Sequence, residues 1–583
     1  MPGTARTGSP VGSRAARWRI GLIGMAVIGA WTIMGVRLFQ VQIVRAEELA
    51  ARALDQRLVS RAIAADRGTI FDASRNQLAV TVEGTTIYVD PAQVSEPILA
   101  ADLLSKVLGL DRDLLYEKLT RDARFVFIAR QLPLEQARQV QELEIEGLGF
   151  YAEPRRVYPF GSVAAQVVGF TDIDNKGIEG IEFRYEGLLS GTPGELVVET
   201  DPSGRIIPHG RSDVRPAVPG TDLILTIDTS IQYIAERACD EALEETQAAS
   251  CVIVVEDVET GAVLAMANRP GFSPEDRSKT DADLFINRAV RSTYEPGSTQ
   301  KLVTVAAALE EGVISWSTTF DVPDEIEIVE GACSDRSGLI QGCYQDFNQH
   351  PEAEMSVLQI VTESSNVGTI LVQQRLGDQA HLRYLDAFGF GSRTGIDFPG
   401  EAGGAGSENI DPSCTPCTAA AAIGYNVSVT PLQMATVYST IANDGEWIRP
   451  HLVESVVDSQ GDSHALDIGR RRVVSPGTAA ILRRLLQSVV EAPEGTGRRA
   501  QVPGYSVGGK TGTTDKYVQE LGRYGEDVVA SFVGMAPISD PKLVVVVVID
   551  SPQAGRLGGE VAAPVFAEVM ERALHQLGVP PDG

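Results

Sequence analysis

Histidine is scarce: six in 583 residues, scattered, with no HExxH among them. That removes the helical zinc-protease signature. Cysteine is absent before Cys239, so no thiol follows the N-terminal apolar stretch where a lipid-modified cysteine would stand. Basic residues are in deficit, 50 Lys and Arg against 78 Asp and Glu, a formal net charge of −28. Phosphate binding needs the opposite balance, which excludes nucleic acid as a partner. The acids read as a solvated surface. Acidic residues are themselves missing from the start of the chain, the first being Glu47. Internal repeats and a low-complexity tail are absent too.

The start of the chain carries instead Arg6, Arg14, Arg17 and Arg19, then an uncharged apolar run from Ile20 to Val36. About 17 residues is the short end of what spans a bilayer. Leu38, Phe39, Val41, Ile43 and Val44 continue it past Arg37, which near a helix end can snorkel. Trp18 suits the interface. The sequence after the run, "RLFQVQIVRAEELAARALDQ", offers no small-residue cleavage site and reads as helix, so an uncleaved anchor is favoured over a signal peptide. The expectation is a cytoplasmic tail (1–19), a transmembrane anchor (20–44) and an extracytoplasmic remainder, in the cell membrane, single-pass.

The length suggests roughly three or four domain-sized units, fewer if one is large. Residues 45–62 are rich in Ala, Arg and Glu and predict helix, as do 98–120. Residues 66–91 alternate short β-like runs with turns. The stretch 45–220 reads as an α+β region without a chemical constellation. From Thr221 the texture changes to a strand and an amphipathic helix. A hairpin over 251–268 comes next, turning at Glu259-Thr260-Gly261. Strands at 528–537 and 542–550 and a closing helix at 562–577 complete the pattern. "KLVVVVVID" (542–550) is the run of a strand covered on both faces. Strands at both ends with a helical middle predict one sheet with helices on both faces. Among the six cysteines, Cys333/Cys343 and Cys414/Cys417 are each close enough in sequence to bridge. No metal and no cofactor are expected.

Chemistry enters at "YEPGSTQKL" (294–302). Ser298 and Lys301 are three apart, adjacent on one helix face. A lysine with a lowered pKa can take the serine proton. The plain alternative is a Pro-Gly turn, a serine cap and a solvated lysine. Against it, Lys301 stands at the wrong end of the helix dipole for a cation, and "LVTVAAALEEG" reads as a buried helix. A second Ser-x-x-Lys, Ser539 to Lys542, contains Pro541 and precedes a strand, so it is no helical pair. Next come Ser364-Ser365-Asn366, a hydroxyl and an amide at a helix–loop junction. Ser74-Arg75-Asn76 and Ser407-Glu408-Asn409 have the same spacing and read as turns. Last is Lys510-Thr511-Gly512-Thr513, on a strand: a cation and hydroxyls for a carboxylate, with a glycine that lets substrate backbone lie alongside.

The order Ser-x-x-Lys, Ser-x-Asn, Lys-Thr-Gly is that of penicillin-binding proteins and class A β-lactamases. With "ETGAVLAMA" upstream and "GYNVSVTPLQMATVYSTIANDG" (424–445) between, the chain resembles the transpeptidase domain of class B penicillin-binding proteins. "RGTIFD" (67–72), "RRVYPFG" (155–161) and "GIEGIEFRYEGLLSGTPG" (177–194) resemble the pedestal of division-type members. The resemblance implies an α+β multidomain chain: an anchor, an elongated pedestal (45–220) and a β-lactamase-like transpeptidase domain (221–583) with a five-stranded antiparallel sheet. It implies Ser298 as nucleophile, Lys301 as general base, Ser364 as proton carrier and Asn366 as positioner. Lys510, Thr511, Gly512 and Thr513 would form the carboxylate-binding strand. The implied substrates are peptidoglycan stem peptides from lipid-linked precursor, with β-lactams as mimics. About 175 pedestal residues do not hold a glycosyltransferase, so a SEDS-type polymerase and other divisome membrane proteins are the expected partners. A D,D-carboxypeptidase, a membrane-anchored β-lactamase, an elongation-type transpeptidase and a β-lactam sensor share the three motifs.

Overall fold

The computed structural model describes residues 13–201, 205–277, 280–335, 342–458, 461–518 and 523–583. Arg6 and residues 336–341, between Cys333 and Cys343, lie outside the described residues. The chain packs as two compact units: the segment up to Ala65 with Thr192–Val218, and Asp66–Gly191 with Pro219–Gly583.

In the first unit a helix runs over Ser13–Phe39 and widens into a π turn over Gln40–Val44. Residues 17–44 form the one described helix long and apolar enough to cross a membrane, with a mean hydropathy of 1.8 over its most apolar window. Ile20, Trp31 and Ile33 point outward from it, which fits a single-pass anchor. The helix expected over 45–62 stops early, at Ala46–Asp55. Leu58–Ile63 is a strand instead, paired antiparallel with Gly194–Glu199 from Leu58↔Glu199 to Ile63↔Gly194. Its partner lies more than a hundred residues away, and long-range pairing overrides the helix propensity of Ala and Arg.

In the second unit a long strand, Gln77–Val89, is flanked by Val126–Leu132 and Leu148–Val157. Two helices, Pro97–Leu108 and Arg112–Leu119, share a core with it through Leu104, Leu115, Ile87 and Ile128. The helical stretch read at 98–120 is thus two helices: the first ends at Gly109 in the left-handed conformation, and Asp111 caps the second. The three pedestal motifs meet in one buried ion-pair cluster. Arg67 reaches Glu182 and Glu186, each at 2.6 Å, and Arg156 reaches Glu182 at 2.7 Å. Each buried charge is thereby paired, so losing one partner would strand the others. The same region is stitched to the chain beyond residue 220. Asp222–Leu225 pairs parallel with Ile70–Phe71 and antiparallel with Val453–Val457, and Arg291 pairs with Glu179 at 2.8 Å.

The main sheet has five antiparallel strands: β1 (Ser250–Asp257), β2 (Val263–Arg269), β3 (Gly508–Val518), β4 (Arg523–Ala536) and β5 (Leu543–Asp550), in the order β2-β1-β5-β4-β3. On one face lie α1 (Thr229–Thr246) and α5 (Gly558–Gln576). On the other lie α2 (Lys301–Glu310), α3 (Asn366–Leu376) and α4 (Pro431–Ala442). The apolar run of β5 divides by parity: Val544, Val546 and Val548 face one core, Leu543, Val545, Val547 and Ile549 the other. Both cysteine pairs read from the sequence are bridged, and a third disulfide joins Cys239 on α1 to Cys251 on β1.

Candidate active site

Ser298 lies in a short 3-10 turn, Gly297–Thr299, immediately before α2. The capping positions of the turn and the helix are Pro296 and Gln300, and neither makes a side-chain cap. The serine is therefore not a cap, and its side chain is half-exposed. The turn is gripped from several sides. Tyr294 bridges to Val429, Gly297 N donates to Gly424 O at 3.2 Å, and Tyr438 Oη on α4 donates to Thr299 O at 3.0 Å. Gly297 has φ +53°, and a Cβ there would sit 2.4 Å from Thr514 Oγ1 on β3. Only glycine allows that conformation and that approach together.

Lys301 opens α2, and every residue from Lys301 to Leu309 is buried. Lys301 itself is 3 % exposed. Its Nζ donates to Ser364 O at 2.6 Å and to Ser364 Oγ at 3.3 Å. Burial pushes its pKa down to about 7, against the pull of Asp346 in the other direction. An amine so placed is half uncharged near neutral pH, which a base requires. The decoy pair behaves differently: Ser539 Oγ is bonded to Asp582 and Lys542 is paired with Asp540 at 2.7 Å.

Ser364 has φ +62°, unusual for a residue with a side chain. Ser365 caps α3, its Oγ accepting from Gly368 N at 2.8 Å, and Asn366 is the first residue of that helix. Asn366 Nδ2 donates to Gln345 O at 2.8 Å. Behind this turn sits Asp346, a residue that no sequence motif singles out. Its carboxylate accepts from Ser365 Oγ at 2.7 Å, from Val367 N at 3.0 Å and from Asn366 N. Nothing in "CYQDF" (343–347) marks it, because its partners lie about 20 residues on. The look-alike triplets are turns: Asp72 accepts from the backbone of Ser74 and Asn76, and Ser407–Asn409 is a 3-10 turn.

β3 is an edge strand, so one side of its backbone is unpaired and open to an extended peptide. Lys510 is 1 % exposed, and burial together with the charge of Lys301 drives its pKa well down. Thr511 Oγ1 is 3.0 Å from Thr496 Oγ1. Thr513 Oγ1 accepts from Gly558 N at 3.0 Å, which leaves its own proton to donate. Gly512 has a further reason to be glycine, on the inner side of the strand. A Cβ there would lie 2.3 Å from Ser531 Oγ on β4 and 3.1 Å from Pro296 O, crowding the place where β3 meets both β4 and the Ser298 turn. The structure thus brings Lys301 to Ser364 and β3 to the Ser298 turn, with Lys301 close enough for its charge to oppose that of Lys510.

Residues 251–571 match the penicillin binding protein transpeptidase domain, and residues 62–225 the penicillin-binding protein dimerisation domain. The chain is 34% identical to stage V sporulation protein D of Bacillus subtilis, over 94% of this chain and 84% of that one. It is 32% identical to the peptidoglycan D,D-transpeptidase FtsI of Escherichia coli, over 97% and 93%. Penicillin binding protein 3 of Mycobacterium tuberculosis, solved with aztreonam, superposes with a TM-score of 0.69 at 28% identity, covering 90% of this chain and 98% of that one.

Proposed function

The chain belongs to the class B penicillin-binding proteins, and from that premise we propose that it is a peptidoglycan D,D-transpeptidase working through an acyl-enzyme on Ser298. The observation that carries the reading is Lys301: an amine buried at the start of α2, pushed to a pKa of about 7 and bonded to Ser364. A lysine kept for structure would be solvated or paired.

Lys301 Nζ, uncharged, takes the proton of Ser298 Oγ as that oxygen attacks the penultimate D-Ala carbonyl of a stem peptide. The backbone N–H groups of Ser298 and Thr513 receive the oxyanion. As the tetrahedral adduct collapses, the C–N bond to the terminal D-Ala breaks and a proton reaches its amine through Ser364. Lys510, Thr511 and Thr513 hold the terminal carboxylate, whose negative charge restores the ammonium of Lys510. Asn366 positions the peptide. An amine from a neighbouring stem peptide then attacks the ester, Ser298 recovers its proton, and the product is a crosslink. A β-lactam enters the first half of this cycle as a substrate mimic.

The septal role rests on the likeness of the pedestal motifs to division-type members, and the partner polymerase of the SEDS type on the chain's two matched domains, neither of which makes glycan. Arg17 and Arg19 ahead of the span favour a cytoplasmic N-terminus and an extracytoplasmic catalytic domain. The test is covalent labelling with a fluorescent penicillin. Wild type is expected to label and Ser298→Ala to fold but not label. Undiminished labelling of the mutant removes Ser298 as nucleophile.

A further inference from the structure

We propose that Asp346 is a positioning residue for acylation: its buried carboxylate clamps the Ser364–Asn366 turn in the backbone conformation that presents two acceptors to Lys301. This rests on the transpeptidase reading above and deepens it.

Asp346 is 6 % exposed, and each of its oxygens is engaged. Oδ1 accepts the first two backbone N–H groups of α3, from Asn366 and Val367. Oδ2 accepts from Ser365 Oγ and lies 3.0 Å from His350 Nε2. The start of α3 thus has a carboxylate on its free N–H groups, where the helix dipole favours one, and a serine that donates to that carboxylate while capping Gly368. These bonds run in sequence through Ser365, and its neighbour Ser364 is the residue at φ +62°. A side-chain-bearing residue persists in that region only where its surroundings over-determine it. Both the carbonyl and the hydroxyl that Lys301 meets belong to Ser364.

Asp346 is itself anchored. Its N–H donates to Asp324 O at 3.0 Å. It directly follows the strand Cys343–Gln345, which pairs with Glu325–Glu327 and carries the Cys333–Cys343 bridge. Gln345 O holds the Asn366 side chain as well. One short, tethered strand and the residue that follows it therefore hold Ser365 and Asn366, the middle and the far end of the Ser-x-Asn turn. Asp346 touches neither Ser298 nor Lys301 by a hydrogen bond, so its action on the reaction passes through the turn and through its charge.

That charge gives the test a readout that a structural cap would not move. Lys301 is faced by Asp346, whose charge favours the ammonium, and by Lys510 on β3. Asp346 in turn faces His350 and Glu363, and Glu494 also acts on Glu363. Removing the negative charge lets the Lys301 pKa fall further. The acid limb of the acylation profile then moves to lower pH.

The experiment measures the second-order rate of acylation by a fluorescent penicillin against pH, on the full-length protein in detergent, for wild type and Asp346→Asn. Asparagine keeps the size and loses the charge. The expected result is a rate about tenfold or more lower at the plateau, because small misplacements of catalytic groups cost that much, with the acid limb displaced downward. A rate within twofold of wild type and an unmoved limb overturns the proposal, as does a lower melting temperature with an unchanged rate for the folded fraction. Should Asp346→Asn fail to fold, Ser365→Ala removes the hydroxyl that links Asp346 to the turn: slowed acylation supports the clamp, an unchanged rate overturns it. Absence of any acyl adduct on wild type instead overturns the transpeptidase reading, and the clamp with it.

Discussion

At the scale of the residue, the account turns on Lys301 being uncharged when it is needed. Its pKa of about 7 lies below the ordinary 10.5 because burial penalises the ammonium. The base form is therefore lost as pH falls through 7 and nearly complete by pH 8. Penicillin acylation is expected to rise through that window and level off above it. Lys301→Arg keeps the charge and the reach, but a guanidinium cannot give up its proton. It should acylate about a thousandfold more slowly, within the usual range for a lost general base, and melt below wild type at neutral pH and above, because burial penalises a permanent charge there. Near wild-type acylation of that variant would remove Lys301 from the role. The eight candidate residues were legible in sequence because each group sits within four residues of chain and its order is informative. Asp346 was not, since its meaning lies in contacts with a turn that folding alone brings near.

At the scale of the element, strands announced themselves where burial on both faces wrote an apolar run, as in β5, or where a turn separated two such runs, as in β1 and β2. Leu58–Ile63 was hidden because its pairing partner is remote, and Cys239–Cys251 because a helix and a strand must first pack to bring the thiols together. β1 also carries a group with a consequence for stability. Glu256 is fully buried, neither oxygen meets a donor in good geometry, and burial raises its pKa to about 8, the nearby Ser439 hydroxyl offsetting this in part. The folded chain thus holds a proton that the unfolded chain releases above its ordinary value of 4.5. The stability this group contributes is full below pH 4.5 and is lost as pH rises toward 8, at up to about 1.4 kcal/mol per pH unit. Glu256→Gln is expected to shrink the difference in melting temperature between pH 5 and pH 8 and to raise the value at pH 8. An identical pH difference in the two proteins would refute a protonated Glu256.

At the scale of the molecule, the chain combines a helix of membrane-spanning length, an ion-pair cluster that unites the pedestal motifs, and a sheet whose edge strand lies against the Ser298 turn. The sequence placed a change of texture at residue 221. In three dimensions residues 66–191 pack with everything after 219 as one compact unit, because Asp222–Leu225 inserts beside Ile70–Phe71 and Arg291 reaches back to Glu179. Such stitching between distant segments leaves no mark in composition. The proposed activity also belongs to the whole chain, because an acyl-enzyme alone is shared by transpeptidases and carboxypeptidases, and the acceptor amine divides them. The most direct measurement supplies the full-length protein with lipid-linked pentapeptide substrate and a glycan polymerase, then resolves the muropeptide products. The account predicts crosslinked dimers that vanish with penicillin and with Ser298→Ala. Release of D-Ala without dimers would contradict it.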